Sequence, residues 1–175
     1  MAPMAELTPR ERLQPSLLDR LTDDDPTGRV EPRERRVLSP SQLRECVRRD
    51  LTSLFNTTQP GTTLPGLEGD PRTASSVLNF GIPDLAGRTA STVDLAALER
   101  SLRQAIWDFE PRLARASVRV RGLLDEREMS HNAVSFAIEA ELWAQPLPMQ
   151  LFLRTLVDLE DGSVRVSEMS ERKGV

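Results

Sequence analysis

The residue types that carry most enzyme chemistry are scarce in this sequence. It contains one histidine, His131, and one cysteine, Cys46, which lie 85 positions apart. A lone histidine in a polar turn is typical of a solvated side chain, and a lone cysteine beside an apolar helical stripe is typical of a small buried residue. No cysteine pair can ligate zinc, and neither an H-E-x-x-H motif nor a glycine-rich phosphate loop occurs. The inventory predicts no catalytic residue, no metal and no cofactor.

Carboxylate chemistry needs a separate argument, because Asp and Glu total 27. A glycosidase needs one acid of raised pKa close to a second carboxylate in a substrate cleft. The candidate for the first acid is Glu110, which lies between Phe109 and Pro111. Glycan clefts are usually lined with aromatic residues, whereas this chain has no Tyr, two Trp and five Phe. We predict that the chain is not an enzyme; a lysozyme-like peptidoglycan hydrolase is the alternative.

The composition bounds the class of protein and its partners. A chain of 175 residues predicts one domain with a sizeable core. The net charge of −4 provides no basic field for nucleic acid or for insertion into an anionic membrane. The single cysteine fits a reducing compartment, and we expect neither a signal peptide nor a membrane span. These features predict a cytoplasmic protein whose partners are other proteins.

Two amphipathic helices are predicted from apolar residues at helical spacing. The first runs from about Pro40 to Phe55, with Ser39 and Gln42 forming a capping box. Its buried face is predicted to contain Leu43, Val47, Leu51, Leu54 and Phe55, with Arg44, Arg48 and Arg49 facing water. The second helix begins after Asp94 and ends before Pro111, which excludes the preceding residue from the helical region. Its stripe consists of Leu95, Leu98, Leu102, Ile106 and Phe109.

The rest of the chain alternates apolar and polar residues, as strands do. A short strand is predicted at Ser76 to Phe80, after an irregular stretch over 56–75. Longer strands are predicted over 117–123, 134–142 and 149–157, and a tight turn at Asp161-Gly162 leads to a short last strand with Val164 and Val166. The prediction is an α+β domain over 39–170, with two main helices on one face of a mostly antiparallel sheet.

The ends of the chain differ from this domain. Residues 1–38 are rich in proline and are predicted to be a flexible, weakly ordered docking tail. Their one apolar stripe contains Leu13, Leu17, Leu18 and Leu21, and it either binds a partner or packs on its own domain. Residues 171–175 are predicted to be disordered.

Three stretches, taken together, resemble the TssE family of type VI secretion baseplate subunits. They are LQPSLLDRLTDDDP at 13–26, SVLNFGIPDLAG at 76–87 and FEPRL at 109–113. The first helix agrees with the same family, which belongs to the wider group of phage baseplate wedge proteins that initiate the tail sheath. The resemblance spans about residues 13–167, and the order and spacing of the motifs make it specific.

The resemblance implies a role and a set of partners. TssE-like proteins lie in a sixfold, hetero-oligomeric cytoplasmic baseplate at the inner membrane. They contact TssF, TssG and TssK there and initiate the contractile TssB–TssC sheath. A protein-sequestering adaptor that acts alone is the other alternative.

Three surfaces are candidates for partner contacts. The first is Glu110-Pro111-Arg112, where the planar Arg112 guanidinium suits a neighbour's carboxylate or carbonyl pair. The alternative interpretation of this motif, without a partner, is a helix stop with two solvated charges. The second is the edge of the last strand, around Val164 and Val166, where another chain could add a strand. The third is the leucine stripe of the N-terminal tail.

Overall fold

The computed structural model of the chain describes residues 16, 19, 21, 38–62, 71–123, 132–143 and 148–169. Helix α1 spans Pro40–Phe55. It begins with the predicted capping box, since the Ser39 hydroxyl accepts the Gln42 N–H at 3.2 Å and the Gln42 side chain accepts the Ser39 N–H at 2.8 Å. These two bonds satisfy N–H groups that have no partner within the helix. The predicted start of α1 is confirmed.

Helix α2 spans Leu95–Phe109. The Asp94 carboxylate accepts the Ala97 N–H at 3.0 Å and so caps the first turn. At the other end Glu110 leaves the helical region, with φ −121° and ψ 78°, because the ring of Pro111 excludes that conformation. The predicted bounds of the second helix are therefore confirmed.

Four strands form one sheet in chain order, and every neighbouring pair is antiparallel. They are β1 (Arg119–Leu123), β2 (Ala133–Leu142), β3 (Met149–Asp158) and β4 (Val164–Glu168). β2 and β3 pair along their whole lengths, from Ala133 opposite Asp158 to Leu142 opposite Met149. The tight turn before β4 holds Gly162 at a φ of 77°, which glycine adopts without strain.

The core lies between the two helices and one face of the sheet. Alternate strand residues are buried, as the period of two predicts, and they join the buried stripes of α1 and α2 in a single cluster. The strand contribution includes Val120, Val134, Phe136, Ile138, Leu151, Leu153, Val157, Val164 and Val166. The predicted α+β fold, with two helices on one face of an antiparallel sheet, is confirmed.

The strand predicted at Ser76 to Phe80 is wrong. Val77–Asn79 form a short 3-10 helix, capped by the Ser76 hydroxyl, which accepts the Leu78 N–H at 3.2 Å. The Phe80 N–H bonds back to the Val77 carbonyl at 3.3 Å. Because these donors are satisfied locally, the segment does not pair with the sheet. The irregular stretch before it also contains two short elements, a 3-10 helix at Pro60–Thr62 and one helical turn at Pro71–Ala74.

Residues 80–82, which follow the 3-10 helix at Val77–Asn79, join the end of α1 to the end of α2. The Ile82 N–H donates to the Thr57 carbonyl at 2.9 Å, and the Phe80 ring meets the Phe109 ring edge-on, with centroids 5.3 Å apart. Between them Gly81 has a φ of +130°, and a Cβ there would lie 2.3 Å from the Thr57 carbonyl oxygen. Only glycine allows this close approach of two backbone segments.

Several sequence predictions lie outside the described residues. They include most of the predicted N-terminal tail, the predicted C-terminal end at 171–175, and His131. In the part of the chain that the structure describes, no helix is long and apolar enough to cross a membrane.

Candidate functional site

The Glu110-Pro111-Arg112 motif forms a tight turn at the C-terminal end of α2. The Glu110 N–H still bonds to the Ile106 carbonyl at 2.9 Å, while the Leu113 N–H bonds back to the Glu110 carbonyl at 3.2 Å. The Arg112 N–H donates to the Glu110 carboxylate at 3.1 Å. The backbone of the motif is thus fixed by its own hydrogen bonds. Pro111 at its tip is exposed.

Arg112 is held by two carboxylates from different helices. Its Nε donates to Glu110 Oε1 at 2.7 Å, and its Nη2 reaches both Glu110 Oε2 at 2.5 Å and Asp50 Oδ2 on α1 at 2.6 Å. Burial alone would lower the pKa of Arg112, but the hydrogen bonds and charges of Glu110 and Asp50 outweigh it and raise the pKa. The motif therefore connects the C-terminal end of α2 to the middle of α1.

The ion pairs continue from Asp50 to the N-terminal segment. Arg49 Nη2 lies 2.8 Å from Asp50 Oδ1, and Arg49 Nη1 lies 2.6 Å from Asp19 Oδ1. The hydrogen bond from Arg49 is the largest cause that lowers the pKa of Asp19, to about 2. We call the five residues Glu110, Arg112, Asp50, Arg49 and Asp19 the ion-pair chain.

The geometry gives Glu110 a structural role. Its side chain is 4% exposed, and each of its carboxylate oxygens accepts a hydrogen bond from the Arg112 guanidinium. A general acid must reach the substrate atom that it protonates. Glu110 has neither the access nor a free oxygen to do so. No group of three metal-ligating side chains occurs within the described ranges.

The alternative interpretation of the motif, a helix stop with two solvated charges, does not describe this geometry, because the two charges are paired with each other. Glu110 is buried, and Arg112 is 23% exposed and paired twice. What the motif offers to another molecule is the exposed ring of Pro111. Arg112 Nη1 has no hydrogen-bond partner among the described residues, but this nitrogen is buried, so another molecule does not reach it in this conformation.

The edge of β4 is partly covered by side chains from α1 and from Asn56, the residue that follows α1. Asn56 accepts the Val164 N–H at 2.9 Å and donates to the Val164 carbonyl at 2.8 Å. Arg48 donates to the Val166 carbonyl at 3.0 Å. The prediction that Arg48 faces only water is therefore wrong, because its long side chain reaches across to the sheet. The Val164 and Val166 side chains themselves point into the core.

At the C-terminal end of β4, the same edge is less covered by side chains. The Met169 N–H donates to the Phe152 carbonyl on the β3 side, so the neighbouring Glu168 directs its N–H and carbonyl away from β3. Among the described residues, no hydrogen bond reaches these two Glu168 groups. A strand from another chain could pair there without first displacing Asn56 or Arg48.

The leucine stripe of the N-terminal segment is mostly outside the described residues, since Leu13, Leu17 and Leu18 are not described. Leu21 is helical and 73% exposed. The Ser16 hydroxyl accepts the Asp19 N–H at 3.3 Å and donates to the Asp19 carboxylate at 2.8 Å. The hydroxyl and Arg49 together orient Asp19.

Sequence reasoning found Glu110 and Arg112 but missed Asp50, Arg49 and Asp19 as their connection to the rest of the molecule. Asp50 and Arg112 are 62 positions apart. No local pattern relates residues at that distance. The available signal was the family resemblance, because Asp19 lies inside the first of its three stretches and Arg49 and Asp50 lie in the first helix, which agrees with the same family.

Comparison with protein families and with known proteins gives one match. The family model of the baseplate wedge protein gp25 matches residues 41–147. This range includes nearly all of α1, the whole of α2, β1 and β2, and the Glu110-Pro111-Arg112 motif. No curated protein and no solved structure shows significant similarity to the chain.

Proposed function

We propose a structural role in a contractile baseplate for this chain, which belongs to the family of the baseplate wedge protein gp25. The observation that carries the proposal is the family match itself, because it covers more than half of the chain and includes the motif at the end of α2. The helices, the sheet and the ion-pair chain then serve to hold binding surfaces in place. A scaffold of this kind has no need of a catalytic group.

In finer terms, we propose a TssE-type subunit of a type VI secretion baseplate. It would bind TssF, TssG and TssK in the cytoplasmic baseplate at the inner membrane and offer a start for the TssB–TssC sheath. The supporting observations are the three sequence stretches, in the order and spacing typical of that family. A family match alone supports a baseplate protein of any contractile machine.

Two described surfaces support the proposed contacts. At the end of α2, Pro111 is exposed at the tip of a turn that the Glu110–Arg112 hydrogen bonds hold in place. At the edge of β4, the outward groups of Glu168 suit the addition of a strand. We assign the first surface to the baseplate partners and the second to the sheath. The leucine stripe of the N-terminal segment is a third docking element in this proposal.

Substituting Pro111 by Lys tests the first surface. A charge reversal at Arg112 would place a third carboxylate beside Glu110 and Asp50 and so disturb the fold, whereas Pro111 is exposed and outside the ion pairs. We expect Pro111→Lys to abolish or strongly weaken co-purification with co-expressed TssF and TssG. The bulky, charged side chain would occupy the space that the partner fills.

Ala96→Lys is the matched control. Ala96 is an exposed position in the first turn of the same helix, roughly 20 Å from Pro111 along the helix axis. Ala96→Lys should unfold close to the temperature of the wild type. Pro111→Lys also removes the ring that restricts Glu110, but the Glu110–Arg112 hydrogen bonds still hold the turn, so this variant should stay folded as well. If the wild type does not bind TssF or TssG, the proposal of a TssE-type subunit is wrong. If the wild type binds and both variants bind equally well, the assignment of the Pro111 surface to these partners is wrong.

A further inference from the structure

A second cluster, outside the ion-pair chain, contains two arginines and a tryptophan. The guanidinium carbon of Arg103 on α2 lies 5.4 Å from the centre of the Trp107 ring, and that of Arg115 lies 4.8 Å from it. The Trp107 Nε1–H donates to the Arg115 carbonyl at 2.9 Å. We call these three residues the Trp107 cluster. Stacking on one ring brings the two guanidinium carbons within about 10 Å of each other.

The arginines of the Trp107 cluster have no acidic partner among the described residues. The nearest acids on α2 are engaged elsewhere, since Glu99 accepts the Gly122 N–H at 2.6 Å and Asp108 accepts both bonds from Gln104. By contrast, Arg48, Arg49 and Arg112 all pair with carboxylates. Two like charges at this separation repel each other, and a bound anion would relieve that repulsion.

The cluster is also held in position before any ligand arrives. The Trp107 ring packs against the hydrophobic core, and its one polar atom is already bonded to the backbone. Each guanidinium rests on that fixed ring, which leaves its planar fork of N–H donors for an acceptor. A preorganised pair of donors loses little conformational entropy on binding.

We infer that the Trp107 cluster binds an acidic segment of a partner protein, with one carboxylate on Arg103 and one on Arg115. In an extended segment, alternate side chains on the same face are about 7 Å apart, which is within the reach of both guanidiniums. Arg–carboxylate pairs of this kind are bidentate and directional. The inference uses neither the ion-pair chain nor the edge of β4, so it does not depend on the proposed partners.

A protein segment fits better than a nucleic acid. The chain as a whole carries a net charge of −4, so a long polyanion would be repelled beyond the cluster itself. In addition, both guanidiniums already lie against the Trp107 ring, so a base would have to compete with them to stack on it. A short acidic stretch needs only the local positive charge.

The test uses the full chain labelled with ¹⁵N and a short synthetic peptide that alternates Glu and Ala. The chain has two tryptophans, whose indole N–H signals can be assigned with a Trp143→Phe variant. We expect the peptide to shift the Trp107 indole signal in a saturable way, with little change at Trp143, and higher salt to weaken the binding. A peptide that alternates Lys and Ala should have no effect.

Charge reversal of both arginines, Arg103→Glu with Arg115→Glu, should weaken binding of the Glu–Ala peptide about tenfold or more. Arg88→Glu is the matched control, because Arg88 is an exposed arginine in the loop before α2 and should leave binding unchanged. Arg103→Lys with Arg115→Lys keeps the charge and loses the planar fork, so it should bind with intermediate affinity. Unchanged amide spectra elsewhere would show that each variant is folded.

Three results would overturn the inference. The first is an absence of any peptide-dependent shift at Trp107 in the wild type. The second is an equal loss of binding in the Arg88→Glu control, which would indicate a general charge effect. The third is tighter binding of oligothymidylate than of the Glu–Ala peptide, which would indicate a nucleic-acid site. None of these measurements involves TssF or TssG, so failure here is distinct from failure of the proposed function.

Discussion

Arg112 is the residue on which the candidate site depends. It bonds to Glu110 in its own turn and to Asp50 on the other helix, at distances of 2.5 to 2.7 Å. Burial of such a pair is not in itself a strong source of stability, because both charges lose water. Removing one partner is costly, however, since the other charge stays buried and poorly compensated. The same geometry that fixes a binding surface therefore makes the surface sensitive to single substitutions.

At the residue scale we predict the effect of Glu110→Gln. The change keeps the shape of the side chain but removes the charge that faces Arg112, so the free energy of unfolding should fall by about 2–3 kcal/mol. Urea denaturation followed by circular dichroism measures this change. Glu160→Gln, in the exposed turn before β4, should change it by less than about 0.5 kcal/mol. Equal small effects from both variants would mean that the Glu110–Arg112 pair adds nothing to stability.

At the scale of elements, α1 has three functions besides filling the core. Its Asp50 holds Arg112, its Arg49 holds Asp19 of the N-terminal segment, and its C-cap residue Asn56 covers the start of the β4 edge. Edge strands with free backbone groups tend to pair with other chains. Helix α2 acts in a similar way at the opposite edge, where Glu99 accepts the Gly122 N–H. The helices thus limit where a further strand can be added.

The contact between the N-terminal segment and α1 should depend on pH. Arg49 lowers the pKa of Asp19 from its ordinary 3.8 to about 2. A carboxyl group whose pKa is lowered in the contact stabilises that contact above its ordinary pKa and loses the contribution as the pH falls through the lowered value. We therefore expect the contact to be intact above about pH 4 and to weaken between pH 4 and pH 2.

Titration of the Asp19 carboxyl carbon by ¹³C NMR measures this directly. The wild type should titrate near 2, and Arg49→Gln should return the pKa of Asp19 towards 3.8. Arg88→Gln, at an exposed position in the loop before α2, should leave it unchanged. A wild-type pKa of 3.8 would contradict the Asp19–Arg49 ion pair.

At the scale of the whole molecule, the fold presents two candidate binding surfaces. The end of α2 carries Pro111, while the far end of the β4 edge carries the outward backbone groups of Glu168. The core behind both surfaces is continuous, from the stripes of the two helices to all four strands. In the proposed baseplate one surface would hold the neighbouring subunits, and the other would be available to the sheath.

A proline at position 168 tests the sheath surface. The Glu168 N–H points away from β3, so Glu168→Pro should leave the β3–β4 pairing intact. It removes the donor that an added strand would use, and we expect it to abolish seeding of TssB–TssC sheaths by assembled baseplates. Glu168→Ala keeps the N–H and should seed normally. Normal seeding by the proline variant, with its melting temperature unchanged, would exclude strand addition at this position.

The predictions from sequence were most accurate where neighbouring residues decide the structure. The capping box at Ser39 and Gln42, the cap at Asp94 and the stop at Pro111 are local interactions, and they placed both helices correctly. Alternation of apolar residues placed the four strands and their buried faces. At Ser76 to Phe80 the same reasoning failed, because a serine cap and a returning backbone bond satisfy that segment without a neighbouring strand.

The residues alone determined the α+β class, the faces that form the core and the position of the Glu110-Pro111-Arg112 turn. Only the tertiary structure decided what this turn contacts. Asp50 is 62 positions from Arg112, and Asn56 is 108 positions from Val164. Contacts at such separations depend on how α1 packs against α2 and against β4, and no periodic pattern in the chain encodes that packing. Composition led to the prediction that the chain is not an enzyme, whereas the ion pairs that bury Glu110 appear only once the helices are brought together.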